Sequence, residues 1–215
     1  MQRLPWWGAV LAVGTLTALL YLPTTGIVWP REGHAFGGKG GGGYGFKVAP
    51  GREWVHIYSI QHAEAESGVT VDEVIPVKKR GIGGSVEILD VRLAPRIPGR
   101  RALMPSIYWI DPDTDMTDCP NQPVIDPHGY EIPDNAAVFL AVRYRSLNPG
   151  SAKIGEFDVT YQEGNLHRRA GTGISQELKV LDKAATRPRD QWRNQCHKKE
   201  GSLILDVDDD YWNPR

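Results

Sequence analysis

Between Leu4 and Pro30 the chain carries no charged residue, and the centre of that stretch, WWGAVLAVGTLTALLYL, is apolar nearly throughout. From Leu4 to Leu22 a helix would be about 28 Å long at 1.5 Å per residue, close to the roughly 30 Å hydrocarbon core of a bilayer. Trp6 and Trp7 stand at one end, with Tyr21 and Trp29 at the other, where amphipathic rings favour the headgroup region. Pro5 suits a first helical turn and Pro23 a helix end. Residues 1–30 therefore read as a single-pass signal-anchor in the cell membrane. Arg3 and the amino terminus precede it, while Arg31 and Glu32 cancel behind it, which places the N-terminus inside and the rest of the chain in the extracytoplasmic space. A cleaved secretory signal shares the basic start and apolar centre, but Leu22–Gly26 fits a small-x-small cleavage site poorly. Gly8 and Ala12 have the spacing that lets two membrane helices approach closely.

The run GHAFGGKGGGGYG, Gly33 to Gly45, has no apolar periodicity. Residues 31–45 read as a flexible linker with an end-to-end distance of roughly 20 Å. A phosphate-cradling loop needs a preceding strand and a Gly-Lys-Ser/Thr ending, and Lys39 is followed by Gly40.

Beyond the linker, residues 46–182 show short β-type runs separated by turn residues. In WVHIYSI, Trp54, His56, Tyr58 and Ile60 share one face, and Val55, Ile57 and Ser59 the other. VTVDEVIPV alternates Val69, Val71, Ile75 and Val77, with Glu73 interrupting that face. SVEILDVRL changes phase between Ile88 and Leu89, as at a β-bulge. AVFLAVRYR alternates Val138, Leu140, Val142 and Tyr144 ahead of the turn Asn148-Pro149-Gly150. Phe157, Val159 and Tyr161 precede Gly164-Asn165, a tight hairpin pair, and ISQELKVL closes the series. Six or seven such strands fit two packed antiparallel sheets. The expected fold is an all-β, immunoglobulin-like antiparallel β-sandwich behind one transmembrane helix, with a barrel as the rival and residues 183–215 as a C-terminal extension.

The order of anchor, strand pair, irregular middle loop, AVFLAVRYR and FDVTYQEGNLHRRAGTG resembles membrane-anchored or secreted actinobacterial proteins that carry an immunoglobulin-like domain of unknown function. The resemblance spans roughly Phe46 to Leu181. It implies the fold and no functional residue.

Among 215 residues, 24% are charged and the formal net charge is -1, which does not indicate a nucleic-acid protein. Basic residues gather at Lys78-Lys79-Arg80, at His167-Arg168-Arg169 and between Lys183 and Lys199. Gathered on one face, they would attract an anionic envelope polymer or lipid headgroups. Cys119 and Cys196 are the two cysteines. In an oxidising compartment they can pair, closing a loop that contributes roughly 4 kcal/mol in the chain-entropy treatment.

The loop DPDTDMTD crowds Asp111, Asp113, Asp115 and Asp118 before Cys119, and alternate carboxylates can converge on calcium. Met116 stands where an EF-hand needs glycine, and Gln122 where it needs glutamate. Only an irregular, weak calcium loop survives, against a solvated acidic turn. Asp206, Asp208, Asp209 and Asp210 form a second acidic group in the tail.

No nucleophile elbow, zinc-binding histidine pair or paired cysteine motif is present. Cys196 adjoins His197, but neighbours in an extended chain point apart. No catalytic residue and no cofactor is expected. The irregular stretch from Pro95 to Asn135 is the candidate contact surface, with Tyr108, Trp109 and Tyr130 as its ligand-binding rings, unless those rings cap the open end of the sandwich. The expected function is a non-enzymatic binding or assembly module of the cell envelope with a protein or anionic-polymer partner. The alternatives are a metal-assisted hydrolase using Asp111 or Asp113 and a structural subunit that oligomerises through its membrane helix.

Overall fold

The alternation of large apolar and smaller residues in Glu53–Ile60 and Val138–Ser146 pairs these two segments along their whole length. In the computed structural model they form the middle of a four-stranded sheet. The structure describes residues 30–33, 35–36, 46–60, 68–77, 85–96, 106–133, 138–173, 176–182 and 190–197. The anchor before Pro30, Lys78-Lys79-Arg80, residues 183–189 and the acidic tail lie outside them. Among the described residues no helix is long and apolar enough to cross a membrane.

The strands are β1 (Arg31–Glu32), β2 (Phe46–Val48), β3 (Glu53–Ile60), β4 (Val69–Pro76), β5 (Val86–Pro95), β6 (Ile107–Ile110) and β7 (Tyr130–Ile132). They continue with β8 (Val138–Ser146), β9 (Gly150–Ile154), β10 (Phe157–Glu163), β11 (Leu166–Gly171) and β12 (Gln176–Val180), followed by a short helix α1 (Gln191–Cys196). Sheet I has the order β5-β8-β3-β6, sheet II the order β1-β11-β10-β4-β7, and sheet III the order β2-β12-β9. Pairing is antiparallel except for the edge pairs β1 with β11 and β2 with β12. The inward rows of all three sheets meet in one core, in which Trp54, Leu140 and Tyr144 of sheet I face Val71, Phe157 and Tyr161 of sheet II and Leu178 of sheet III.

The phase change read in SVEILDVRL is a register shift between Ile88 and Asp90 against β8. Gly164 and Asn165 form the two-residue turn between paired Glu163 and Leu166, with Gly164 at φ 58°. VTVDEVIPV behaves differently from expectation. Tyr161 pairs with Val71 but Thr160 with Glu73, so Asp72 is an extra residue and the strand changes phase there. Val74 then packs on the core, Glu73 points out and Ile75 is exposed. Glu73 is not an inward interruption, because the bulge has already reversed the faces.

Two further departures concern the ends. Arg31–Glu32, expected at the start of the linker, is an edge strand, and Ala35 and Phe36 are buried in the main core. Helix α1 lies beyond the expected domain end at Asp182 yet packs on β6 and on sheet I.

The core is rich in rings. Trp54 stacks on Tyr144 with centroids 5.4 Å apart and meets Trp109 edge-on at 6.4 Å. The hydroxyls of Tyr58 and Tyr144 share a buried hydrogen bond of 2.9 Å, and burial pushes both well above the usual phenol range. Gly155, at φ +97°, passes so close to Tyr58 that a Cβ would sit 2.9 Å from its ring. The backbone angle and the close approach both demand glycine there.

His56 stacks on Tyr58 at 3.9 Å, and its Nδ1 has no hydrogen-bond partner among the described residues. Burial lowers its pKa from 6.5 to about 3. The folded state thus keeps the ring neutral where the unfolded chain takes up a proton, so stability falls as pH drops below 6.5 toward 3. The slope is about 1.4 kcal/mol per pH unit. From pH 7 to pH 4.5 the wild type is expected to lose about 2.5 kcal/mol more than His56→Leu in urea unfolding. Parallel pH profiles for the two proteins would contradict this assignment.

Candidate functional site

Sheet I is apolar on its outer face as well as its inner one. Val55 and Ile57 of β3, Tyr108 and Ile110 of β6 and Ala141 of β8 all point away from the main core and are buried. The outer face of sheet II, by contrast, carries paired polar residues such as Glu73 with Thr160 and Gln162 with His167. A face like that of sheet I needs cover, and the cover is the 111–126 segment together with α1. Met116 and Val124 from the segment and Trp192 from the helix complete a second apolar cluster.

Three polar devices fasten this roof. Asp190 caps α1 by accepting from the Arg193 N–H at 2.8 Å, and its other oxygen accepts from the Thr114 hydroxyl at 2.6 Å. Glu53, with its side chain 2% exposed, accepts from two nitrogens of Arg143 at Oε2 and from two nitrogens of Arg145 at Oε1. Arg143 also donates to the carbonyls of Thr114, Pro112 and Asp111 at 2.8, 3.0 and 3.3 Å. A charged side chain on the sheet thus holds the acidic loop by its backbone. Finally, Cys119 and Cys196 form a disulfide across a sequence separation of 77 residues, with both cysteines buried. It joins loop to helix and points to an oxidising, extracytoplasmic setting.

The four loop carboxylates have separate roles. Asp115 accepts from the N–H and hydroxyl of Thr117 at 2.8 and 2.9 Å, which hold it below its usual range. Asp118 lies 3.7 Å from His197 Nε2, Asp113 is exposed, and Asp111 begins the turn that returns to Thr114. Among the described residues no three His, Cys, Asp or Glu side chains gather as a metal site would require. The EF-hand positions have other duties: Met116 is a core residue of the roof, and Gln122 donates inward to the Pro95 carbonyl.

The three rings do not form one surface. Tyr108 and Trp109 are consecutive in β6 and face opposite sides: Tyr108 meets Trp192 edge-on at 5.9 Å in the roof, and Trp109 joins Trp54 in the main core. Tyr130 is in β7, half-buried against the main core. Cys196 is oxidised and is no thiol partner for His197.

Sequence reasoning missed Glu53, Arg143 and Asp190. A trace was available, since Arg143 and Arg145 share the outer face of a strand whose inner face carries Val138, Leu140, Val142 and Tyr144. Their purpose depends on Glu53, which lies 90 residues earlier than Arg143.

No protein-family model matches the chain, and no curated protein is similar to it. What stands is a mostly β domain with several antiparallel sheets and one disulfide.

Removing Arg143 leaves the Glu53 carboxylate buried beside a half-lost partner set. Arg143→Met is expected to cost about 3 kcal/mol in chemical unfolding and to loosen residues 111–114. Arg145→Met, at a more exposed side chain, costs clearly less. Equal losses for the two variants would contradict the assigned hub.

Proposed function

We propose that this chain is a membrane-tethered, extracytoplasmic, immunoglobulin-like β-sandwich that serves as a non-enzymatic binding or assembly module of the cell envelope. The observation that carries this reading is the roof itself. The residues a catalytic loop would use are engaged in fastening it, through the cap at Asp190, the turn at Asp115 and the disulfide at Cys119. The exposed rim, Pro112, Asp113, Asp115, Thr117 and Asp118, carries three carboxylates. A rim of that charge favours a protein partner with a basic surface over an anionic polymer. Loops held on a rigid sheet are where binding residues concentrate.

The test is co-purification of the full chain from its native membrane after mild crosslinking, comparing wild type with an Asp113→Lys/Asp118→Lys variant. The expected result is one protein recovered with the wild type, lost from the variant, and released by raised salt. Recovery of the same proteins with both, or metal-dependent hydrolysis of an envelope polymer by the purified wild type, would overturn the reading.

A further inference from the structure

We propose that the β10–β11 hairpin end of sheet II lies against the bilayer, with Leu166 seated in the interfacial region of the lipid. This rests on the proposed anchor over residues 1–30 and adds the side of the domain that meets the membrane.

The direction of the chain comes from β1. Its pairing with β11 is parallel, with Arg31 opposite Arg168 and Glu32 opposite Arg169, and the Gly33 N–H donates to the Arg169 carbonyl at 2.8 Å. Followed backward from Glu32 to Arg31, the strand points toward His167, Leu166 and the Gly164-Asn165 turn. The exit point is fixed in place. The Ala35 N–H donates to the Tyr161 hydroxyl at 3.1 Å, Phe36 meets the Tyr161 ring edge-on at 5.1 Å, and both residues are buried. At Gly33 a Cβ would fall 1.9 Å from the Tyr161 hydroxyl, so this passage admits only glycine.

The glycine tract consequently connects Phe36 to β2, two parts of one domain, and does not space the domain from the anchor. What remains between Leu22 and Pro30 spans at most about 28 Å when fully extended, and Trp29 suits the headgroup level. The domain is held close to the surface by its hairpin end.

At that end stands Leu166, at 46% the most exposed large hydrophobic side chain among the described residues. Of the polar side chains beside it, Arg168 pairs with Glu163 at 3.2 Å and the His167 ring lies 3.4 Å from the Asp72 carboxylate. The contact is therefore apolar in origin and needs no anionic lipid. Ile75, 41% exposed, is the natural control. It pairs with Asp158 whereas Leu166 pairs with Glu163, which puts the two side chains roughly 17 Å apart along β10.

The native cysteines are joined to each other, so a new cysteine can be labelled selectively. Full-length Leu166→Cys and Ile75→Cys chains, each labelled with an environment-sensitive fluorophore, are reconstituted into phosphatidylcholine vesicles. Flotation after an alkaline wash reports the anchor. Expected are retention of both chains, a blue-shifted label at 166 that is quenched at least twofold by lipids nitroxide-labelled near the headgroup, and a water-like, unquenched label at 75. Retention with equal behaviour of the two labels overturns the orientation and leaves the anchor standing. Loss of both chains on flotation overturns the anchor, and the orientation with it. A blue-shifted label at 166 that nitroxide lipids do not quench means that a second copy or another protein covers Leu166, and also overturns the orientation.

Discussion

Sheet I buries both of its faces, and the rest of the structure follows from that constraint. In β3 every residue except Ser59 is buried, so the strand has no side that can be left to water. One face is satisfied by sheets II and III. The other needs a separate layer, and the chain supplies it from two distant places, the 111–126 segment and α1. A six-residue helix is too short to hold itself together, and this one persists because Trp192 and Cys196 are anchored in the layer beneath it.

Such a layer is fastened more by links than by area. The disulfide contributes about 4.5 kcal/mol in the chain-entropy treatment for a loop of this length, and Arg143 adds a joint between sheet and loop backbone. Placing Glu53 out of water is costly unless both of its oxygens are paired, and Arg143 with Arg145 supply those pairs. The same arrangement explains why an acidic loop tolerates its charges. Its carbonyls are drawn to a guanidinium, while its carboxylates turn outward or close their own turns.

The fold was legible in sequence wherever a strand was long and one face was strongly apolar. The two faces of β3, the row along β8, the phase change in β5 and the Gly164-Asn165 hairpin could all be read directly. With two cysteines and an expected oxidising compartment, their pairing was legible too. The four-residue β6, the three-residue β7 and the six-residue α1 were not, because segments that short lack a measurable period. Missing β6 carried a consequence for the site: once Ile107–Ile110 is a strand, Tyr108 and Trp109 must face opposite ways and cannot share a contact surface. The first residues of the expected linker were not legible, since Arg31–Glu32 is an edge strand and Ala35 and Phe36 occupy the core through a register no local pattern encodes. Arg143 gains its role from a partner on another strand and from three backbone carbonyls, none of them visible in a linear motif.

A disulfide-stapled roof covers the apolar outer face of sheet I. Hydrogen exchange followed by mass spectrometry, before and after reduction of the Cys119–Cys196 bond, tests it most directly. Selective loss of protection in residues 106–126 and 190–197 on reduction, with β4, β10 and β11 unchanged, is the expected result. Unchanged protection in the roof, or an equal loss across all three sheets, would contradict it.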